Sequence, residues 1–340
     1  MKSKKIVSLL LAGVLSATLL VGCGGNSKTE TSDNGASGEK QKLTLVMSQR
    51  DEWLGTLEAA ANQAAEEMGY SLNSLDSQSD VSKQIQFVET ARNNGEKAII
   101  VNLVDPNIAK DIVEAAGDMK VVFVNRPPAD TSILNENVVY VGSDEMTSGK
   151  FQGEWLAEHF KAQGKTEIKY ILLNGIMGQV STTNRTKSVL QTLKDNGITA
   201  VEASAPLACD YDRAKAMNQI GPLLSSGIEF DCVISNNDAM ALGAIEAMEQ
   251  QDIDPSTVPI VGIDATADAC AAVQSGKLAM TVFQDPKGQG TGAILAAINL
   301  IDGKPINDGI DYQLDTAIPY IVWVPFEPVT PENVADYLNK

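Results

Sequence analysis

Polar side chains follow several short hydrophobic runs of this sequence, and they are its best candidates for chemistry. Asn125 ends one such run, Arg185 stands in the polar stretch after a second, and Asp264 directly follows a third. Carboxylate, amide and guanidinium groups together suit a ligand with many hydroxyls, because each hydroxyl both donates and accepts a hydrogen bond. The further side chains of this kind are Asn102, Asp105, Arg126, Gln179, Ser181, Thr182, Thr183, Asn236, Asn237, Asp238, Gln284 and Asp285.

Two other roles compete with ligand binding for these residues. Asn, Asp and Ser before a helix usually cap its first turn, so one residue among Asn236, Asn237 and Asp238 is expected to be a cap. Glu52 and Asp264 are a carboxylate pair that leaves glycoside hydrolysis open as an alternative. Catalysis by a nucleophile and a histidine is not expected, because the single histidine lies in a helical pattern. We therefore expect a binding protein that is not an enzyme and that needs no cofactor.

The elements that must position these residues alternate between β-rich runs and helical stretches. This alternation predicts parallel sheets with helices on both faces, and ligands of such sheets bind beyond the carboxyl ends of the strands. Runs such as AIIVNL lack polar alternation, as expected for strands covered on both faces. The predicted strands are 43–48, 98–103, 121–125, 138–142, 168–173, 232–235, 258–263 and 278–284. The predicted helices are 53–68, 81–93, 107–116, 146–162, 182–195, 212–224, 239–250, 266–274 and 289–302.

Several longer stretches carry a resemblance to a known family over nearly the whole chain after its leader. The sequence resembles the type I periplasmic sugar-binding proteins of ABC transporters and is similar to their galactose/glucose-binding members. This resemblance implies an α/β fold of two doubly wound parallel-sheet lobes joined by a three-stranded hinge, which close on the ligand. The stretches are VNLVDP at 101–106, VVFVN at 121–125, YVGSD at 140–144, ISNNDAMALGA at 234–244 and VGIDA at 261–265.

The resemblance also suggests how the chain divides. We expect residues 43–143 with 285–314 in the N-terminal lobe, and residues 144–284 with 315–340 in the C-terminal lobe. It implies that the protein captures a monosaccharide or a related polyol and delivers it to the permease of an ABC importer. A sugar sensor for a membrane kinase or chemoreceptor stays open as an alternative, because the binding chemistry would be the same. A repressor with this fold is not expected, because a leader takes the place of a DNA-binding segment.

Ten positions correspond by this resemblance to sugar-contacting residues of the family. Trp53 and Tyr211 are expected to stack on opposite faces of the sugar ring. Arg185 is expected to hold ring and hydroxyl oxygens, which suits its planar fork of donors. The full set is Glu52, Trp53, Asn125, Gln179, Ser181, Arg185, Tyr211, Asn237, Asp264 and Gln284.

The sequence departs from the galactose/glucose-binding pattern just before Arg185. Gln179 and Ser181 stand where those relatives have a histidine and an aspartate, so a charge-assisted acceptor is lost. Another hexose, a pentose or a cyclitol such as inositol is therefore as plausible a ligand as glucose. The family's calcium loop is also missing between His159 and Ile168, and Asp231 alone cannot hold calcium. We expect no structural metal.

The first residues predict export and anchoring. Three lysines precede the mostly apolar run 6–21, which has the length of a secretory signal rather than of a membrane span. Leu20-Val21-Gly22-Cys23 resembles a bacterial lipobox, so residues 1–22 are expected to be a signal peptide and Cys23 the lipidated first residue. An uncleaved anchor is the alternative. Residues 23–42 read as a flexible tether, which places the protein on the extracytoplasmic face of the cell membrane.

Charge and cysteine content narrow the range of partners. The net charge is −18 and becomes −21 without the three leader lysines (−18 − 3). A body this acidic repels nucleic acid phosphates, so no nucleic acid partner is expected. Three cysteines besides Cys23, without paired spacing, do not form a disulfide framework. We expect a monomer that binds a monosaccharide or cyclitol, interacts with ABC permease subunits and is attached to the membrane through its lipid anchor.

Overall fold

The computed structural model describes residues 40–338, and they belong to one compact unit. The predicted signal peptide 1–22, the lipidation site Cys23 and most of the predicted tether 23–42 lie outside these residues. The tether prediction runs slightly too far, because Lys42 already pairs with Ser71 as the first residue of a strand.

The described residues alternate between strands and helices, numbered here in chain order. The strands are β1 (Lys42–Met47), β2 (Ser71–Asp76), β3 (Ala98–Val101), β4 (Lys120–Val124), β5 (Val138–Gly142), β6 (Glu167–Asn174), β7 (Thr199–Glu202), β8 (Leu207–Ala208), β9 (Cys232–Ser235), β10 (Ile260–Val261), β11 (Thr281–Gln284), β12 (Gln313–Leu314), β13 (Ile321–Trp323) and β14 (Phe326–Val329). The helices are α1 (Glu52–Glu67), α2 (Val81–Asn93), α3 (Ala109–Ala116), α4 (Glu145–Ala162), α5 (Val180–Asp195), α6 (Arg213–Ser225), α7 (Asp238–Glu249), α8 (Ala267–Gln274) and α9 (Pro286–Asp302).

Within residues 40–338 these strands form two main sheets and one small ribbon. The seven-stranded sheet has the order β12-β13-β5-β4-β3-β1-β2 and is parallel except where β12 meets β13. The five-stranded sheet has the order β10-β9-β6-β7, with β8 also paired to β6, and all its pairs are parallel. The ribbon pairs β11 with β14 in antiparallel fashion. The predicted α/β class with parallel sheets is confirmed.

Helices cover both faces of each sheet, which explains why the central strands are almost entirely apolar. In the first sheet, α1 and α9 pack on one face and α2 and α3 on the other. In the second sheet, α6, α7 and α8 pack on one face and α4 and α5 on the other. A central strand such as Ala98–Val101 is buried at every position, so all its side chains must be apolar.

Within residues 40–338 the chain crosses three times between the seven-stranded sheet and the part that holds the five-stranded sheet and the ribbon, and these crossings form the hinge. These are the connections from β5 to α4, from β11 to α9 and from β13 to β14. Ile321–Trp323 pairs with β5 in the first sheet, although the sequence placed residues 315–340 in the second lobe. The predicted lobe boundaries otherwise stay a prediction.

Candidate functional site

A small cavity lies where strand ends of the two sheets face each other. Its volume is about 50 Å³. Nine of the ten residues predicted as sugar contacts line it, so the structure brings together what the sequence scatters over more than 230 positions. The lining residues are Asp51, Trp53, Leu54, Asn125, Arg126, Glu145, Gln179, Ser181, Arg185, Tyr211, Asn237, Asp264 and Gln284.

Glu52 is the predicted contact that does not line this cavity, and Asp51 takes its place. Asp51 is the N-cap of α1, and its Oδ1 accepts a hydrogen bond of 2.8 Å from the backbone N–H of Leu54. Glu52, the first residue of the helix, lines a neighbouring cavity of about 550 Å³ instead. Burial, reinforced by Asp268, raises the pKa of Glu52. The cap fixes the helical register, and this one-residue difference decides which acid meets the cavity.

Trp53 and Tyr211 are the two aromatic residues of the cavity. The Trp53 indole is 9% exposed and donates from Nε1 to the backbone oxygen of Gln284 at 3.0 Å. The Tyr211 ring lies against the backbone of Gly175, where an added methyl group would be 2.0 Å from it. Hydrogen bonds of 2.8 Å join the Tyr211 hydroxyl to Ser181 Oγ and Thr182 Oγ1. Both rings are therefore held in fixed orientations at the cavity wall.

Arg185 is buried at the centre of a polar network. Its Nε and Nη2 donate to the two carboxylate oxygens of Glu145 at 2.6 and 3.2 Å. Nη1 donates to the backbone oxygen of Asn236 at 2.8 Å, and Nη2 also donates to Gln284 Oε1 at 3.1 Å. Burial alone would lower the pKa of Arg185, but Glu145 and Asp264 raise it overall, so the group is a permanent cation.

Asp264 faces this network from the other side. Its Oδ1 is 3.8 Å from Arg185 Nη1, which is an ion-pair distance and not a hydrogen bond. Burial raises the pKa of Asp264 well above its ordinary value, and Asp238 acts in the same direction while Arg185 opposes it. The backbone of Asp264 has φ 130°, a conformation that favours glycine. Such strain occurs most often at functional sites.

Asn125 also has a positive φ, of 64°, and is held on several sides. The buried Tyr140 hydroxyl donates to its backbone oxygen at 2.7 Å. Asn102 Nδ2 donates to its side-chain oxygen at 3.2 Å, and its own Nδ2 donates to Gln289 Oε1 at 3.3 Å. These contacts fix the amide at the cavity wall and explain why the left-handed backbone is tolerated.

Two lining residues stand at helix starts, and only one of them caps its helix. Asn237 is the N-cap of α7, and its Oδ1 accepts from the backbone N–H of Met240 at 3.0 Å. The expectation of a cap among residues 236–238 is thereby confirmed. Gln179 precedes α5 at the cap position, but its side chain makes no cap bond. It lines the cavity instead.

Arg126 and Glu145 line the cavity although neither was among the ten predicted contacts. Arg126 is 8% exposed, and its Nη1 donates to the backbone oxygen of Leu103 at 3.1 Å. Burial lowers its pKa, while Asp51 opposes this shift. The sequence did contain a signal for Arg126, because it directly follows Asn125 at a strand end. Glu145 had none, since its partner stands 40 residues away.

Gln284 completes the lining from the hinge side. Its Oε1 accepts from Arg185, whereas its buried Nε2 has no hydrogen-bond partner within the described part of the chain. A buried donor of this kind costs free energy unless it is satisfied, so it is well suited to a ligand oxygen.

Residues 40–338 show neither a metal centre nor a membrane span. No group of three or more His, Cys, Asp or Glu side chains there is arranged to hold a metal ion. Asp231 instead accepts from Lys165 Nζ at 2.5 Å and from the backbone N–H of Lys169 at 2.7 Å. No helix in this region has both the length and the apolar character of a membrane span.

Comparison with known proteins gives consistent matches. The profile of the periplasmic binding protein domain family matches residues 44–305. A putative rhizopine-binding protein of Rhizobium meliloti is 33% identical over 274 residues, which cover 80% of this chain and 84% of that protein. A galactose/methyl-galactoside binding periplasmic protein of Haemophilus influenzae is 33% identical over 282 residues, covering 80% and 83%.

A solved structure with bound ligand is also similar. An ABC transporter solute-binding protein from Bacillus halodurans, with bound myo-inositol, is 30% identical with a TM-score of 0.74. The match covers 89% of this chain and 99% of that one.

Proposed function

We propose, from the premise that this chain belongs to the periplasmic binding protein family, that its cavity captures a cyclitol or monosaccharide for an ABC importer. Members of this family are solute-binding components of transport and do not catalyse reactions. Glycoside hydrolysis by Glu52 and Asp264 is therefore set aside. Glu52 lies outside the cavity that gathers the other nine predicted contacts, and it lines the neighbouring cavity together with Trp53 and Asp264.

The composition of the cavity lining carries this proposal. Carboxylates, guanidinium groups, amides and hydroxyls surround one small space, and Trp53 and Tyr211 add two aromatic faces. A polyol ring presents hydroxyls at its edge and C–H groups on its faces, so it uses both kinds of contact. The relative with bound myo-inositol favours a cyclitol as the first ligand to test.

Ligand entry requires the lobes to separate. Trp53, Arg185, Asp264 and Gln284 are each less than one-tenth exposed, and the cavity of about 50 Å³ is too small for a polyol ring in this arrangement. Hinge closure then follows ligand entry, because only the closed form offers contacts from both lobes.

A thermal-shift panel of cyclitols, hexoses and pentoses tests the proposal. A ligand that binds only the folded state raises the melting temperature by mass action, so myo-inositol or a monosaccharide should give a saturable increase. Calorimetry on the positive compounds should return a one-to-one complex. A panel without any shift, with the chain shown to be folded, would contradict the proposed function.

We also propose that Cys23 anchors the protein to the extracytoplasmic face of the membrane and that the body works as a monomer. The lipobox-like sequence before Cys23 supports the anchor. Cys23→Ser should release the protein into the medium or leave its leader unprocessed. Unchanged membrane association of a fully processed variant would exclude the lipid anchor.

A further inference from the structure

Glu145 is a buried acid that lines the cavity without facing it freely. It is the first residue of α4, its side chain is 3% exposed, and both its carboxylate oxygens bind Arg185. The N-terminus of a helix favours negative charge, so α4 itself stabilises this carboxylate. Glu145 is therefore held in place against Arg185 at the edge of the ligand space.

Glu145 binds the edge of the Arg185 guanidinium that can form two parallel hydrogen bonds to a carboxylate. A guanidinium has five N–H donors, and the edge formed by Nε and Nη2 matches a carboxylate with two parallel bonds. Glu145 occupies this edge, while Asn236 and Gln284 accept two further N–H groups. One N–H of Nη1 remains, and it lies on the side of Asp264. Arg185 can thus give a ligand one hydrogen bond but not a paired one.

A carboxylate at position 181 of α5 could also balance the charge of Arg185. Ser181 stands four residues before Arg185 on α5, one helical turn away, where a carboxylate would reach the same guanidinium. Ser181 is neutral and bonds to the Tyr211 hydroxyl. The carboxylate partner comes from α4 instead, so the α5 side of the cavity presents uncharged hydroxyls.

We propose that Glu145 sets the ligand selectivity of the cleft by occupying the paired-donor edge of Arg185, so that the site takes neutral polyols and rejects their acidic counterparts. This inference rests on the proposed function and adds a selectivity-determining residue to it. Arg126, the other guanidinium of the lining, is unchanged by substitutions at position 145. Any contribution of Arg126 to anion binding therefore cancels when the variants are compared.

The test compares myo-inositol with D-glucuronate by calorimetry on the full mature chain. The wild-type protein should bind myo-inositol and discriminate strongly against D-glucuronate. Glu145→Gln keeps the side-chain volume but removes the anion, so the ratio of the two dissociation constants should move towards D-glucuronate by about tenfold or more. Glu158→Gln, on the exposed face of the same helix, is the matched control and should leave the ratio unchanged.

A second variant covers the case in which Glu145→Gln does not fold. Glu145→Gln combined with Ser181→Asp returns a carboxylate to Arg185 from one turn away, so it should fold and again reject D-glucuronate. The inference is overturned if folded Glu145→Gln keeps the wild-type ratio, or if the double variant binds D-glucuronate. A wild-type protein that binds no neutral polyol would contradict the proposed function instead, so the two failures are distinguishable.

Discussion

At the scale of single residues, the two aromatic side chains of the cavity, Trp53 and Tyr211, each combine ring packing with a hydrogen bond. Trp53 presents its indole ring to the cavity and ties its N–H to the hinge at Gln284. Tyr211 places its ring on Gly175 and its hydroxyl on two side chains of α5. A ring that is already fixed loses little side-chain entropy when a ligand stacks on it.

Removing the Trp53 ring should therefore weaken ligand binding. We expect Trp53→Ala to lower affinity for the ligand found in the panel by roughly tenfold or more, because an aromatic contact is worth about 0.5–1.5 kcal/mol beyond area burial. The ligand-induced change in tryptophan emission should also disappear. Trp53→Phe keeps a ring and should retain most of the affinity, and Trp155→Phe should change neither property. Full affinity in Trp53→Ala would exclude the stacking role.

The two buried arginines should behave differently when truncated. Arg185→Ala leaves Glu145 buried without its partner, which costs about 3–5 kcal/mol of unfolding free energy in the absence of ligand. Arg126→Ala removes a buried cation that donates to the backbone oxygen of Leu103, so ligand affinity should fall by roughly tenfold with a smaller loss of stability. Urea unfolding and calorimetry separate these effects. Equal losses of stability would contradict this division of roles.

At the scale of elements, the start of α1 joins helix capping to the ligand site. Asp51 accepts from Leu54 N–H and from Gln49 Nε2 while it lines the cavity. One side chain thus fixes the register of α1 and contributes an acceptor to the site.

Two substitutions at Asp51 should separate these roles. Asp51→Asn keeps a capping oxygen and should leave stability nearly unchanged, yet weaken ligand binding through loss of the charge. Asp51→Ala should in addition lose about 1 kcal/mol of unfolding free energy with the cap. Asp80→Ala, which removes the N-cap of α2, is the matched control and should lower stability without changing affinity. Unaltered affinity in both Asp51 variants would place Asp51 among purely structural residues.

At the scale of the whole molecule, buried acids of the second lobe make stability depend on pH. Burial raises the pKa of Asp238 to about 7, although Thr281 Oγ1 at 2.6 Å and Thr266 N–H at 3.0 Å donate to its carboxylate and oppose the shift. The pKa of Asp264 is also raised. In the unfolded chain an aspartate titrates near pH ~3.9.

The free energy of unfolding should therefore decrease as pH rises from about 4 to about 7. In this window the unfolded chain binds fewer protons at Asp238 than the folded chain, so the stabilisation present at low pH is lost as pH passes the folded-state pKa. One pKa unit corresponds to about 1.4 kcal/mol, so the decrease is on the order of 3–4 kcal/mol. Urea unfolding at pH 4.5 and 7.5 measures it.

Asp238→Asn isolates this contribution, because groups such as His159, whose pKa is lowered by burial, act equally in both proteins. The decrease in stability should shrink in Asp238→Asn and persist in the exposed control Asp118→Asn. An equal pH dependence in wild type and Asp238→Asn would contradict the assignment.

The sequence by itself determined the buried framework of this protein. The central strands are runs of apolar residues because both of their faces are covered, and this composition is readable without contacts. Edge strands were missed, since β2 reads SLNSLD and β7 lies largely exposed. An edge strand needs only one neighbour and little burial, so its residues carry a weak signal. The strand-end polar residues were also readable, because the ends of parallel strands share one edge of a sheet.

Only the tertiary structure decided how the polar atoms of the site are used. Arg185 binds Glu145 and Gln284, which are 40 and 99 residues away, and Trp53 reaches Gln284 over 231 positions. Local sequence patterns cannot indicate partners that are so far apart along the chain. The choice between Asp51 and Glu52 likewise depended on where α1 begins. The sequence could therefore indicate which side chains gather at the cleft, while the fold decided which of their donors and acceptors remain for a ligand.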